Sequence, residues 1–232
     1  ALQEISIWRG YWNSIVYTVL FTGLGLALIL PAAYGLQQSD LLWQKPIMAL
    51  FMFTMFFGGG VIPSYLLIRN LKLLDTLWAL VLPGAVSVYN MIVARTFFSN
   101  TIPAEVQESA RIDGCGDFMT FIRIVLPLSK AIVAVLALWY AVGMWNSYFS
   151  ALIYIRDASK YPLQMVLREI LFRNQQLANV LDGDPKTFEQ LNRVSQLLRY
   201  VVMIVASVPM LCAYPFVQKH FVKGVMIGSV KG

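Results

Sequence analysis

Apolar residues run along this chain in five long stretches separated by short polar or aromatic intervals. The stretches cover residues 14–36, 47–68, 76–98, 127–155 and 200–217. A helix rises about 1.5 Å per residue, so roughly 20 apolar residues cross a hydrocarbon layer about 30 Å thick. All five reach about that length. A single strand would leave its backbone groups unpaired in lipid, so the pattern predicts helices. Aromatic residues mark several ends: Trp8, Tyr11 and Trp12, then Trp43, Trp78, Tyr154 and Tyr161. The predicted fold class is all-α, a polytopic membrane helix bundle with five visible spans.

Composition agrees. The 232 residues are 58% hydrophobic and 13% charged, with a mean hydropathy of +0.65. A soluble domain is nearer half apolar and a quarter charged. The net charge of +6 suits an anionic lipid surface. No basic run or aromatic platform points to nucleic acid. Cys115 and Cys212 match no metal or redox spacing. Lys and Arg are divided almost evenly between the two faces, so charge does not orient the bundle.

Proline and glycine interrupt the spans at Pro31, Gly58-Gly59-Gly60 with Pro63, Pro83-Gly84, Gly143 and Pro209. Such residues either permit kinks and close helix packing or mark broken helices that line a path. The density at Gly58–Pro63 favours the path.

Residues 107–128, QESARIDGCGDFMTFIRIVLPL, break the apolar pattern and carry five charges between two spans. Their periodicity predicts two short helices around a glycine turn. Asn100 or Thr101 is placed to cap the first, with Pro103 in its first turn. Glu105, Glu108 and Arg111 share one face; Ile102, Val106, Ser109 and Ala110 share the other. Gly114 ends that helix, and Asp117 is placed to cap the second, whose Phe118, Phe121, Ile122 and Val125 form an apolar face. Charges at this density cost several kcal/mol in lipid. The hairpin therefore belongs at the membrane surface, either resting on headgroups or docked to a partner.

The residues of this hairpin resemble a known motif. Glu108-Ser109-Ala110, three residues, Gly114, nine residues, then Ile124-x-Leu126-Pro127 is similar to the EAA loop of ABC importer permeases. Only Ser109 departs from it, standing where alanine is usual. Arg95-Thr96-Phe97-Phe98, Ile102-Pro103, Ile112-Asp113-Gly114, Trp145-Asn146 and the tail from Lys223 to Gly232 resemble the carbohydrate-uptake branch, in the subfamily of the maltose permease's shorter subunit. The stretch from Phe56 to Asn90 resembles permeases for acidic oligosaccharides, such as aldouronate, pectin or alginate fragments.

The resemblance implies a type I ABC importer permease fold with six spans and both ends cytoplasmic. The chain opens on Ala1 and shows five, so the expectation is that the first span is missing. It also implies a single permease domain over 1–232, with a cytoplasmic coupling-helix hairpin at 99–126 and an extracytoplasmic helical hairpin at 156–199. The coupling residues would be Glu108, Ser109, Ala110, Asp113, Gly114, Ile124, Leu126 and Pro127. Implied partners are a second permease subunit forming a heterodimer, two ATP-binding subunits, an extracytoplasmic solute-binding protein and membrane lipid, but no nucleic acid. ATP and Mg would be bound by the partner ATPase subunits, and no cofactor by this chain. Gly228 and Ser229 would reach between the ATPase subunits; the alternative is a frayed end.

The residues themselves offer no catalytic set. There is no G-x-x-x-x-G-K-[ST], and the lone His220 lies beside Lys219 at the end of the last stretch. The acidic turn at Asp182-Gly183-Asp184-Pro185 lacks the alternating ligands of a calcium loop and reads as a helix start. Trp145, Asn146 and Tyr148 in GMWNSYF, with Tyr89 and Asn90, are candidate path-lining residues, because aromatic faces stack on sugars and amides bond hydroxyls. An amide in a span also joins helices without lining anything. The function expected is the transmembrane subunit of an ATP-driven carbohydrate importer in a bacterial inner membrane. A permease for another solute, or a secondary transporter, is the alternative; a secondary transporter would call for intramembrane acids and inverted repeats, and neither is present in the five stretches.

Overall fold

The first apolar stretch folds as one helix, α1, spanning Leu2–Gly35 in a computed structural model that describes residues 2–38, 40–180, 197 and 200–212. At about 51 Å it is longer than a bilayer core is thick, and Pro31 does not break it. Among the described residues it is the one unbroken helix long and apolar enough to cross a membrane.

The next stretches are broken rather than straight. Helices α2 (Gln44–Phe56) and α3 (Val61–Asn70) meet at 108° across the glycine triplet, where Gly60 takes φ 81. The stretch 76–98, expected as one span, divides into α4 (Trp78–Val81) and α5 (Val88–Thr101) around Pro83-Gly84. The polar hairpin follows as α6 (Ala104–Ile112) and α7 (Asp117–Leu128). An 83° bend at Ser129 leads into α8 (Lys130–Trp145). The stretch 127–155 then breaks again at Asn146–Tyr148 before α9 (Phe149–Tyr154). Helix α10 (Leu163–Val180) supplies the first half of the expected 156–199 hairpin, and α11 (Tyr200–Cys212) the described part of the last stretch. Residues 181–196, and with them the Asp182–Pro185 turn, lie outside the described residues.

Helix α1 packs chiefly on α8, α5 and α10. Its second half joins α5, α7 and α8 in the largest core, built on Ile29, Ala33, Met91, Phe98, Val125 and Leu136. Close approach to α8 is made at Gly25: a Cβ there would sit 2.7 Å from the Tyr140 ring. The Tyr140 hydroxyl then repairs the break between α4 and α5, donating to the Ala85 carbonyl at 2.9 Å and accepting the Ser87 N–H at 3.2 Å. A broken span survives in lipid only where the freed backbone groups find such partners.

The end of the bundle opposite the polar hairpin is closed by a latch that hydropathy does not reveal. Asp75, held at φ 60, accepts the N–H groups of Arg156 (3.1 Å) and Asp157 (3.0 Å) on Oδ1 and Lys160 Nζ (2.9 Å) on Oδ2. Asn13 and Tyr17 of α1 hold the same loop by donating to the carbonyls of Ser159, Tyr161 and Lys160. The two N–H groups and the ammonium lower the Asp75 pKa to about 2. A lowered carboxyl pKa stabilises the fold fully above its unfolded value near 3.9, and that contribution disappears as pH falls towards 2. In detergent, Asp75→Asn should therefore melt below wild type at pH 6, and the gap should close between pH 4 and pH 2. A gap that is constant with pH would show that the carboxylate's charge plays no part.

Candidate functional site

The polar hairpin is rooted in the bundle and open at its tip. Phe121 and Val125 of α7, and Ile102 ahead of α6, are buried in the main core, and Tyr34 of α1 packs on Phe121 with ring centroids 5.3 Å apart. Pro127 lacks an N–H and crowds the carbonyl four residues back. The chain accommodates it with a π-helical turn over Phe121–Val125, in which the Leu126 N–H reaches the Phe121 carbonyl. Leu126 packs against the core and Ile124 is half-buried. The second half of the motif is thus an anchor, ending at the Ser129 bend.

The first half of the motif faces outward. Glu105, Glu108, Ser109 and Asp113 are exposed, while Ala110 is buried against the bundle. The expected division of faces changes here: Ser109 lies on the exposed side with Glu108, its hydroxyl bonded back to the Glu105 carbonyl at 2.8 Å. Ile112 is 86% and Phe118 71% exposed, a large apolar presentation beside those carboxylates.

Both expected caps are corrected. Asn100 and Thr101 belong to the end of α5, and α6 begins after Pro103 with no side-chain cap. Gly116, rather than Asp117, precedes α7. Asp117 has another partner, Arg111. The Arg111 guanidinium donates to Asp40 (3.0 Å), Gln38 (3.1 Å) and Asp117 (3.3 Å), tying α6, α7 and the loop after α1 together. Asp40 and Asp117 beside it push its pKa further up. Arg95 Nε and Gln44 Nε2 both donate to the Leu36 carbonyl, fixing the root of that loop. The pattern of apolar residues contains no trace of this clamp, because two of its partners, Asp40 and Gln38, lie 71 and 73 positions from Arg111.

Gly114 closes α6 as expected, at φ 78. The Cys115 N–H reaches the Ala110 carbonyl (2.9 Å) and the Gly114 N–H the Arg111 carbonyl (3.0 Å). This is a Schellman turn, which requires a left-handed residue at this position.

A second polar feature lies within the bundle. A cavity of about 280 Å³ opens between the α4–α5 break and α8, lined by Ser87, Asn90, Trp139, Tyr140, Ser147 and Ser150 among others. Of the candidate path residues, Asn90 lines it, and Tyr89 stacks beside it on Trp139 with centroids 5.8 Å apart. Trp145 does not: it is buried against Leu163 and Leu167, and its indole N–H donates to the Ala206 carbonyl at 3.0 Å. Asn146 caps the end of α8, bonding the Val142 carbonyl. The helix break after it removes the shared helix face expected for Trp145 and Tyr148. Tyr148 instead lies under Arg168. Gly228 and Ser229 fall outside the described residues. Among the described residues no group of three or more His, Cys, Asp or Glu could hold a metal.

A Cβ on Gly114 would meet nothing within 4 Å, so substitution there is resisted by backbone handedness alone. Gly114→Ala should cost about 1–2 kcal/mol, Gly114→Asn less and Gly114→Val more, read as melting midpoints in detergent. Equal midpoints for Asn and Val would contradict this account.

Residues 5–227 match the family described as "Binding-protein-dependent transport system inner membrane component". The chain is 41% identical to a Bacillus subtilis protein named polygalacturonan/rhamnogalacturonan transport system permease protein YtcP, over 97% of this chain and 78% of that one. It is 45% identical to protein LplC of the same organism, over 97% of this chain and 74% of that one. Among solved structures it resembles a bacterial ABC transporter involved in the import of the acidic polysaccharide alginate. There the TM-score is 0.79 at 30% identity, with 93% of this chain and 75% of that chain covered. The hairpin, the broken spans and these matches lead to one assignment: the chain belongs to the inner-membrane permease family of binding-protein-dependent ABC importers.

Proposed function

We propose that this chain is a multi-pass subunit of the bacterial cytoplasmic membrane that encloses, with a second and different permease subunit, the path of an importer for carboxylated oligosaccharides. Two ATP-binding subunits would bind ATP and Mg and perform the hydrolysis, and an extracytoplasmic binding protein would deliver the sugar. The observation that carries this reading is the α6–α7 hairpin, with its tip exposed and its base fixed in the core.

The exposed tip suits a protein cleft. Fully burying Ile112 and Phe118 would contribute roughly 1.5–3 kcal/mol each, and Glu108 and Asp113 offer carboxylates to basic groups around them. Desolvated charge pairs at such an interface are costly to break, whereas rim pairs contribute little. Closure of two ATPase subunits around ATP would carry the hairpin with it. Because α7 shares its core with α1, α5 and α8, a displacement of the tip would tilt these helices together. That is the rigid-body rocking alternating access requires, driven by the different affinity of the ATPase for nucleotide in its two states.

The substrate class rests on two proteins named above, a polygalacturonan/rhamnogalacturonan transport system permease and a transporter involved in the import of the acidic polysaccharide alginate. The cavity is consistent with a sugar: hydroxyls of Ser87, Ser147 and Ser150 and the Asn90 amide are hydrogen-bonding groups, and Trp139 with Tyr89 offers aromatic faces.

Replacing Glu108 with arginine should lower uptake about tenfold or more while the permease still inserts and co-purifies with its partner permease. Uptake at the wild-type rate would remove the hairpin from the coupling path. Topology has its own check: a cysteine at Ala158 should react with an impermeant maleimide on intact cells, and one at Asp113 only after lysis. The reverse pattern would invert the orientation.

A further inference from the structure

Resting on the acidic-oligosaccharide reading, we propose that Arg168 is the residue of this chain that receives the substrate's carboxylate, on a platform formed by Tyr148 and Phe172, Tyr148 being next in the chain to Ser147, which lines the α5–α8 cavity. The cavity itself is lined by hydroxyl, amide and apolar groups, with no charged side chain. Neutral groups can bond sugar hydroxyls but do not compensate a carboxylate leaving water. A path that accepts a polyanion needs a cation near its entrance.

Arg168 meets that need by position and by chemistry. Its Cζ lies 4.9 Å from the Phe172 ring centre and 5.9 Å from that of Tyr148. Tyr148 falls between Ser147 and Ser150 in the break between α8 and α9, and both serines line the cavity. Arg168 is half-buried, and the two rings are half-exposed, at 44% and 50%. Among the described residues no carboxylate forms an ion pair with Arg168, whereas Lys160 on the same end of the bundle is held by Asp75 and Asp157. A guanidinium supported on aromatic faces keeps its in-plane N–H groups available, and that fork matches a carboxylate bidentately. The same rings offer the apolar faces on which a pyranose stacks. One uronate residue would thus find its carboxyl group and its ring face recognised at adjacent points.

The test uses the complete transporter, both permeases and the ATPase subunits, in liposomes with saturating binding protein. Uptake is measured for a uronic-acid trisaccharide and for its carboxyl-reduced neutral counterpart. Arg168→Gln should lower acidic uptake about tenfold, the loss expected for one charge-assisted hydrogen-bonded contact, and lower the acidic-to-neutral ratio with it. Arg168→Lys, which keeps the charge without the fork, should retain part of the acidic uptake. Acidic uptake by Arg168→Gln within twofold of wild type would overturn the assignment. So would equal losses for Gln and Lys, or an unchanged acidic-to-neutral ratio. A defect seen only in liposomes containing phosphatidylglycerol, and absent from pure phosphatidylcholine, would assign Arg168 to a lipid headgroup instead. Failure of the wild-type transporter to take up the acidic trisaccharide at all would refute the substrate reading itself, a result separable from every behaviour of the variants.

Discussion

The burial of Phe121 and Val125 among α1, α5 and α8 is the constraint on which this structure depends. A surface hairpin carrying Glu105, Glu108, Arg111, Asp113 and Asp117 has no reason to hold one orientation if it only floats on lipid. Seated by two core side chains on α7, with Ile102 buried ahead of α6, it becomes continuous with the membrane bundle. Tight packing makes that continuity mechanical, since close-packed interiors move as bodies rather than deform. The Arg111 clamp adds direction, joining both hairpin helices to the loop that follows α1. Its ion pairs are exposed, so they contribute little to global stability; their contribution is to fix geometry.

The bends have the same logic. A span of straight helices would transmit motion as a simple tilt, whereas this bundle changes direction at Gly58–Gly60, Pro83–Ser87, Ser129 and Asn146–Tyr148. Each break frees backbone groups that must be paired in lipid, and at Pro83–Ser87 the Tyr140 hydroxyl pairs two of them. Residues of two of these breaks, among them Ser87 and Ser147, line one cavity. Breaking the helices therefore places hydrogen-bonding side chains within the bundle, around a cavity with no charged residue in its lining.

What was legible in the sequence was set by how local its cause is. Gly114 could be read because a left-handed helix terminus is a property of a few consecutive residues. The motif from Glu108 to Pro127 was legible through resemblance, and the structure adds a division of labour: an exposed first half and an anchoring second half. Hydropathy located the apolar stretches but not their continuity, because two residues such as Pro83-Gly84 or Asn146-Ser147 interrupt a helix while barely changing the mean over roughly twenty apolar neighbours. Trp145 is a candidate path residue because Trp-Asn in a span suggests sugar chemistry; that it packs against α10 and α11 is decided by tertiary contacts that the sequence does not display. The Asp75 latch and the Arg111 clamp were invisible for the same reason, since each joins residues 70 or more positions apart.

The central claim is that the hairpin tip is held by an ATP-hydrolysing subunit and moves with it. Its most direct measurement is a crosslink. A single cysteine is placed at position 108, with Cys115 and Cys212 replaced by serine, and the assembled transporter is treated with a short bifunctional reagent. The account predicts a covalent product with the ATPase subunit, loss of uptake on crosslinking and recovery when a cleavable linker is reduced. A position-108 cysteine that never joins the ATPase, while reacting with a lipid-borne reagent, would contradict it.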